Sequence, residues 1–193
     1  MSVIDKCDKL MTHVCAVFRQ FCPMPKLSKE GYKITIGGFH NSDASKFDYT
    51  NCLKMVLMLF DVRLSEFDYD DQIAEGEIVI TDMGNMGWRH FMKAIAHLIT
   101  AKFYMEFLQD AAPIKIVQAH ILNPSGLVHK MFTIFRPFMK QELLDVFHFH
   151  PNGIESLYDY VPRELLPKEL GGSDEFSMED IRLTYIKKME ENR

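Results

Sequence analysis

Three short runs rich in β-branched residues limit the folds open to this chain. YKITI at 32–36 alternates and is closed by Gly37 and Gly38, EIVITDM at 77–83 lies between Gly76 and Gly84, and IKIVQAHIL at 114–122 follows Pro113. Each is too short for a stable helix and is bounded by chain-breaking residues, which is the pattern of a strand. The second run has no polar alternation, as expected of a strand covered on both faces. The intervals between the runs are long enough for a helix. After N-cap chemistry at Asp43 and Ser45, Cys52, Met55, Val56, Leu59, Phe60 and Arg63 recur at helical spacing, and residues 88–109 carry Phe91, Ile95, Leu98, Phe103, Phe107 and Leu108 in the same way. VFHFH at 146–150, ending before Pro151, is a fourth strand. Alternating strands and helices of this kind predict an α/β fold with a mostly parallel sheet.

The ends of the chain read differently. Ile4, Cys7, Met11, Val14, Cys15, Phe18 and Cys22 share one face of a helical pattern over 2–21, which stops at Cys22-Pro23-Met24-Pro25. The four cysteines form no CxxC pair and read as small core hydrophobes. From Asp174 onward, EFSMEDIRLTYIKKMEENR predicts a C-terminal helix with acids early and lysines late, to suit its dipole. The expected division is a short helix and linker at 1–28, the α/β domain at 29–173 and the final helix at 174–193. The longest unbroken apolar run, MVLMLF at 55–60, is far below the roughly 20 residues that span a bilayer. The first residues lack the apolar stretch of a signal peptide, so a cytoplasmic location is expected.

The residues offer little catalytic chemistry. A net charge of -5 argues against a protein that coats nucleic acid. GxSxG, HExxH, Walker and GxGxxG patterns are absent. His148 and His150 would point to the same side of a strand and could share a metal ion, with Asp145 or His120 as a third ligand, which would suit a metal-dependent hydrolase. The competing reading is two polar side chains near a strand end. His13, His40, His90, His97 and His129 have no nucleophile or carboxylate at motif spacing and read as surface or satisfied interior groups.

The stretch SGLVHKMFTIFRPFMKQELLDVF at 125–147 is unusual. At about 100° per residue, Leu127, Val128, Met131, Phe132, Ile134, Phe135, Phe138 and Met139 cover half of a helical wheel, while His129, Arg136 and Lys140 cluster opposite. Pro137 weakens the turn before it. A helix packed on a sheet with a solvated basic edge satisfies this pattern. So does a movable cover over an apolar cavity, with adaptable Met and Phe side chains and a basic edge for anionic headgroups.

Seven landmarks in order carry a resemblance: VITDMGN at 79–85, PIK at 113–115, HILNP at 120–124, RPFM at 136–139, HFH at 148–150, ESLYDYVPRELLPKELGG at 155–172 and EFSMEDI at 175–181. The chain resembles the CRAL-TRIO lipid-binding domain family, and within it the alpha-tocopherol transfer protein and retinaldehyde-binding group, in the style of its insect members. That resemblance implies a mostly parallel sheet flooring a hydrophobic pocket, flanking helices, and a mobile lid helix supplied by residues 126–147. It implies non-enzymatic binding and intermembrane transfer of one small lipophilic molecule of the tocopherol, retinoid or phospholipid class, with no cofactor and no metal. A lipid-sensing adaptor is the alternative within the family. Cytoplasmic location with transient docking on an anionic membrane follows.

By position, the pocket residues implied are Leu127, Val128, Met131, Phe132 and Phe135 on the lid, Ile114 and Ile116 on the strand after Pro113, Tyr104 and Phe107 on the helix before it, Val56, Leu59 and Phe60 on the first long helix, and Ile80. Lys115, His129, Arg136 and Lys140 are the implied membrane and headgroup contacts. The chain departs from the family's phosphoinositide-binding cluster, since Val117, Glu142, Leu144 and Val146 stand where basic residues are expected. Only a weak attraction to anionic lipid is therefore expected, about 1 kcal/mol per basic residue near the surface. The family's N-terminal helical module is represented by about one helix.

Overall fold

The structure is a computed structural model that describes residues 22–39, 43–65, 74–113, 115–175 and 177–191. The helical pattern read at 2–21, with Cys7 and Cys15, lies outside the described residues, as does Ile114.

A five-stranded sheet runs in the order β1 (Cys22–Pro23), β2 (Tyr32–Gly38), β3 (Gly76–Asp82), β4 (Ile116–Leu122) and β5 (Phe147–His150). The last four strands are parallel, as the alternation predicts. The Cys22-Pro23 segment, expected as linker, is instead a short antiparallel edge that pairs Cys22 with Ile36. Proline is tolerated there because an edge strand needs only one bonded side. The connections are α1 (Tyr49–Ser65), then α2 (Trp88–Ala96) with α3 (Leu98–Asp110), then α4 (Gly126–Phe135) with the four-residue α5 (Gln141–Leu144). A final helix, α6 (Met178–Glu191), lies against α1 through Tyr185, which packs on Leu59 and Val62.

The two faces of the sheet are covered differently. Ile34, Ile36, Ile78, Ile80 and Leu122 point to one face, where Leu157, Val161, Leu166 and Met178 from the C-terminal segment bury them completely with Cys22 and Met24. The other face carries Thr35, Glu77, Val79, Thr81, Ala119 and Ile121 and is roofed by α1 to α5. Register ties the rows together, Thr35 opposite Val79, Val79 opposite Ala119, and Ala119 opposite Phe147.

A register shift interrupts β4. Glu77 is opposite Ile116 but Ile78 is opposite Gln118, so Val117 is the extra residue of a bulge. One extra residue inverts the alternation beyond it. Even-numbered Ile116 therefore shares a face with odd-numbered Ala119 and Ile121, while Gln118, His120 and Leu122 point away.

Two expected helices are broken. The pattern over 88–109 divides at His97, whose φ of -109° and ψ of 32° leave the helical region. Its ring stacks on Tyr49 at 6.1 Å. The stretch over 126–147 is α4, a 3-10 turn at Arg136–Phe138 and then α5, because Pro137 offers no amide to continue the ladder.

Candidate functional site

Between the sheet and its helical roof lies an apolar cavity of about 280 Å³. The strands supply its floor through Thr35, Gly37, Glu77, Val79, Thr81, Ile116, Ala119, Ile121, Phe147 and Phe149. Cys52, Leu53, Val56 and Phe60 come from α1, His90 and Ala94 from α2, and Tyr104, Met105 and Leu108 from α3. The cover is Val128, Met131, Phe132 and Phe135 of α4, continued by Met139 and Leu143. Phe132 stands edge-on to Phe147 and Phe149 at 5.1 and 5.2 Å, so α4 is held over the floor by aromatic contacts.

Eight of the positions expected to face a pocket are brought together here: Val56, Phe60, Tyr104, Ile116, Val128, Met131, Phe132 and Phe135. Four are not. Ile80 belongs to the opposite, filled face, because Glu77, Val79 and Thr81 set the parity of β3 toward the cavity. Leu59 is rotated one position from Phe60 and buried under α6 against Val62 and Tyr185. Phe107 backs Phe60 at 6.5 Å without reaching the cavity. Leu127 packs with the Phe39 and Phe47 cluster and does not line the cavity. The sequence reading missed Tyr49, Glu77, Val79, Thr81, Ala119, Ile121, Phe147 and Phe149. Strand parity would have found Val79 and Thr81, whereas Ala119 and Ile121 depend on the bulge.

The polar groups on the cavity wall are few. Burial pushes the Tyr49 phenol and the Cys52 thiol up to about 12 each, with the charge of Asp48 adding to Cys52. Tyr104 is raised by burial, and further by Tyr49 and the charge of Glu77. All three stay neutral at ordinary pH. His90 is buried, and its Nδ1 accepts from the Gly87 amide at 3.2 Å, so Nε2 carries the proton and has no hydrogen-bond partner among the described residues. Burial, with the charge of Lys93, lowers its pKa. Glu77 accepts from the Thr35 hydroxyl and pairs with buried Arg63.

The four basic groups expected at a membrane are all exposed but do not form one stripe. The helix that would align them ends at Phe135. Lys115 lies just before β4, while the His129 ring leans on Phe149 at 5.2 Å. Arg136 is in the 3-10 turn. Lys140 pairs with Asp110, and its amide donates to the Gln109 side chain, whose Nε2 donates to the Phe138 carbonyl at 3.0 Å. The end of α3 thus clamps the end of the cover.

His148 and His150 do share a face, the one away from the cavity, and His120 approaches them. The rings bind each other, with His120 Nδ1 3.0 Å from His150 Nε2. Among the described residues no set of three His, Cys, Asp or Glu side chains is arranged to hold a metal ion.

Comparison with known proteins agrees with this geometry. The CRAL/TRIO domain family model matches residues 18–172. Clavesin-1 of Rattus norvegicus is 29% identical over 143 residues, 74% of this chain and 39% of that protein. Clavesin-2 of Mus musculus is 25% identical over 149 residues, 77% of this chain and 44% of that protein. The chain thus spans about two fifths of the length of these relatives. The crystal structure of Sfh5 superposes with a TM-score of 0.63 over 92% of this chain and 66% of that one, at 13% identity, a likeness of fold alone.

Proposed function

The chain belongs to the CRAL/TRIO domain family, and from that membership and the cavity beneath α4 we propose that it binds one lipophilic molecule and exchanges it with membranes. The observation that carries this reading is an almost wholly apolar cavity roofed by a short helix of Val, Met and Phe. A void of that size lined by hydrocarbon is costly to keep empty and unsuited to water. Burying ten to twenty ligand carbons at roughly 0.8 kcal/mol each outweighs the cost of immobilising the ligand.

Exchange requires the cover to leave and a surface to receive it. On the outside of α2 and α3, Trp88, Met92, Ile99 and Phe103 are exposed, Ile99 and Phe103 by 72% and 63%. Both helices pack against α4. Apolar side chains exposed beside a movable cover suit insertion into a membrane interface, with Lys115 and Arg136 attracting anionic headgroups. No helix among the described residues is long and apolar enough to cross a membrane, so docking would be peripheral. On this reading the ligand is a tocopherol, a retinoid or a molecule of similar bulk, and it leaves chemically unchanged.

The test is to incubate the purified protein with a total lipid extract, examine it by native mass spectrometry, and then follow the captured lipid between donor and acceptor vesicles. One lipid per chain and accelerated transfer are expected. Capture of no lipid would overturn the proposal, and capture without transfer would limit it to binding.

A further inference from the structure

The histidines of β4 and β5 have no part in the binding of a lipid. His120, His148 and His150 gather on the face of the sheet away from the cavity, where the Tyr160 ring lies 5.0, 4.7 and 5.8 Å from theirs. His120 and His150 are buried, at 0% and 2% exposure. His120 Nε2 is 3.1 Å from Gln118 Oε1, its Nδ1 is 3.0 Å from His150 Nε2, and His150 Nδ1 is 2.7 Å from the Ser156 hydroxyl. Ile80, opposite His120 on β3, is apolar, as are Leu157 and Val161 of the covering segment. Among the described residues no acidic side chain bonds to either ring, and Glu155 and Asp159 of that segment are exposed.

This network admits only neutral rings. With His120 Nε2–H turned to Gln118, Nδ1 must accept from His150, and a proton added there would set two N–H groups against each other. Burial, then His150 and His148, accordingly holds His120 down to about 3 from 6.5, and burial, then His148, lowers His150. Protons therefore favour any form in which these rings are opened to water.

The strand that shuts the rings in also seats the cover. β5 is an edge of the sheet, four residues long, and its ladder partner is β4, with His120 opposite His148 and Leu122 opposite His150. Its alternate residues, Phe147 and Phe149, face the cavity, where Phe132 stands edge-on to both and the His129 ring leans on Phe149. The chain enters β5 from α5, at the end of the cover. Parting β5 from β4 thus bares His120 and His150 on one side and removes the aromatic seat of the cover on the other. A short edge strand opens at less cost than the whole sheet.

We infer that these histidines make ligand exchange acid-sensitive, because protons capture an open form of β5 and the cover from which the ligand leaves. This rests on the lipid-binding reading above and adds its regulation. His120 and His150 are positioning residues that act on the ligand only through Phe147, Phe149 and the cover. In the open form His120 regains its ordinary 6.5, so pH has little leverage well above that value and the open population grows below it. From pH 7.5 to pH 5.5 this one ring supplies a factor of about tenfold.

The experiment loads the whole chain with nitrobenzoxadiazole-labelled tocopherol, which does not titrate in this range, and follows its release to excess phosphatidylcholine vesicles at both pH values. Wild type is expected to release it about tenfold faster at pH 5.5. In His120→Gln, which keeps a donor and an acceptor, the two rates should converge. Hydrogen exchange, corrected for its intrinsic pH dependence, should show residues 147–150 losing protection by the same factor while β2 and β3 keep theirs. Equal release at both pH values overturns the inference and leaves lipid binding standing. So does an acceleration that persists in His120→Gln, or a loss of protection that spreads through β2 and β3. Should the variant not fold, wild type decides, by whether release and exchange at 147–150 quicken together. If the probe does not bind, lipid captured from the extract takes its place, and capture of neither overturns the broader reading as well.

Discussion

His120 shows what a buried residue can do to the whole chain's response to pH. Its Nε2 lies 3.1 Å from Gln118 Oε1, its Nδ1 3.0 Å from His150 Nε2, and His150 Nδ1 2.7 Å from the Ser156 hydroxyl. With both rings neutral, His120 Nε2–H donates to Gln118 Oε1, which leaves its Nδ1 to accept from His150 Nε2–H, while the Ser156 hydroxyl lies between His150 Nδ1 and the Gly153 carbonyl at 3.3 Å. Burial, then the neighbouring His150 and His148, holds His120 down to about 3 from 6.5, and burial lowers His150 as well. Above 6.5 the rings are neutral whether the chain is folded or not, and pH has no leverage through them. Between 6.5 and about 3 the unfolded chain binds more protons, so stability falls as the pH drops. Urea unfolding at pH 7.5 and pH 5 should differ through His120 by on the order of 2 kcal/mol, and His120→Gln should flatten that difference. An unchanged slope in the variant would contradict the assignment. Gly172 offers a second residue-scale prediction. A Cβ there would lie 2.0 Å from the Leu166 carbonyl oxygen and 2.7 Å from that of Arg163, both backbone atoms. Gly172→Ala should therefore cost more than about 2 kcal/mol and lower Tm by roughly 5 °C or more, read by calorimetry.

At the scale of elements, the cover is tethered at its far end through Gln109, Asp110, Phe138 and Lys140, all near the surface. Exposed contacts of this kind add little to global stability but hold a segment locally. Gln109→Ala with Asp110→Asn should change unfolding free energy by less than about 1 kcal/mol while speeding ligand release severalfold in stopped-flow displacement. Unaltered release would mean that the end of α3 does not restrain the cover. The strands were legible in the sequence because their β-branched runs end at Gly or Pro, and the face of α4 was legible because one amphipathic period governs Val128, Met131, Phe132 and Phe135. The bulge at Val117 was not, since a single inserted residue leaves composition and spacing unchanged while inverting the parity that places Ala119 and Ile121. Nor was the break at His97, which has no proline or glycine to mark it. Ile80 and Leu59 were misplaced for a related reason: hydrophobic residues satisfy a filled core and a cavity wall equally well. Only the rotation of each element distinguishes the two.

At the scale of the molecule, one sheet serves two functions. Its filled face, sealed by the C-terminal segment, gives rigidity, and its other face is left partly empty under a cover that short contacts restrain. Outside that cover, α2 and α3 expose apolar side chains, Trp88 and Phe103 among them. Trp88→Ser with Phe103→Ser should lower association with anionic vesicles in a flotation assay while leaving ligand affinity unchanged, because neither residue lines the cavity. Equal flotation of the variant and wild type would direct membrane docking elsewhere. The claim on which everything else depends is that the ligand occupies the void above Val79, whose side chain projects from the middle of the floor. Titration of a fluorescent tocopherol or retinoid analogue into wild type and Val79→Trp tests it directly. The account predicts saturable one-to-one binding by wild type and its loss in a variant that keeps its circular dichroism and Tm, since the indole fills space already present. Binding undiminished in Val79→Trp, or no saturable binding by wild type, would contradict it.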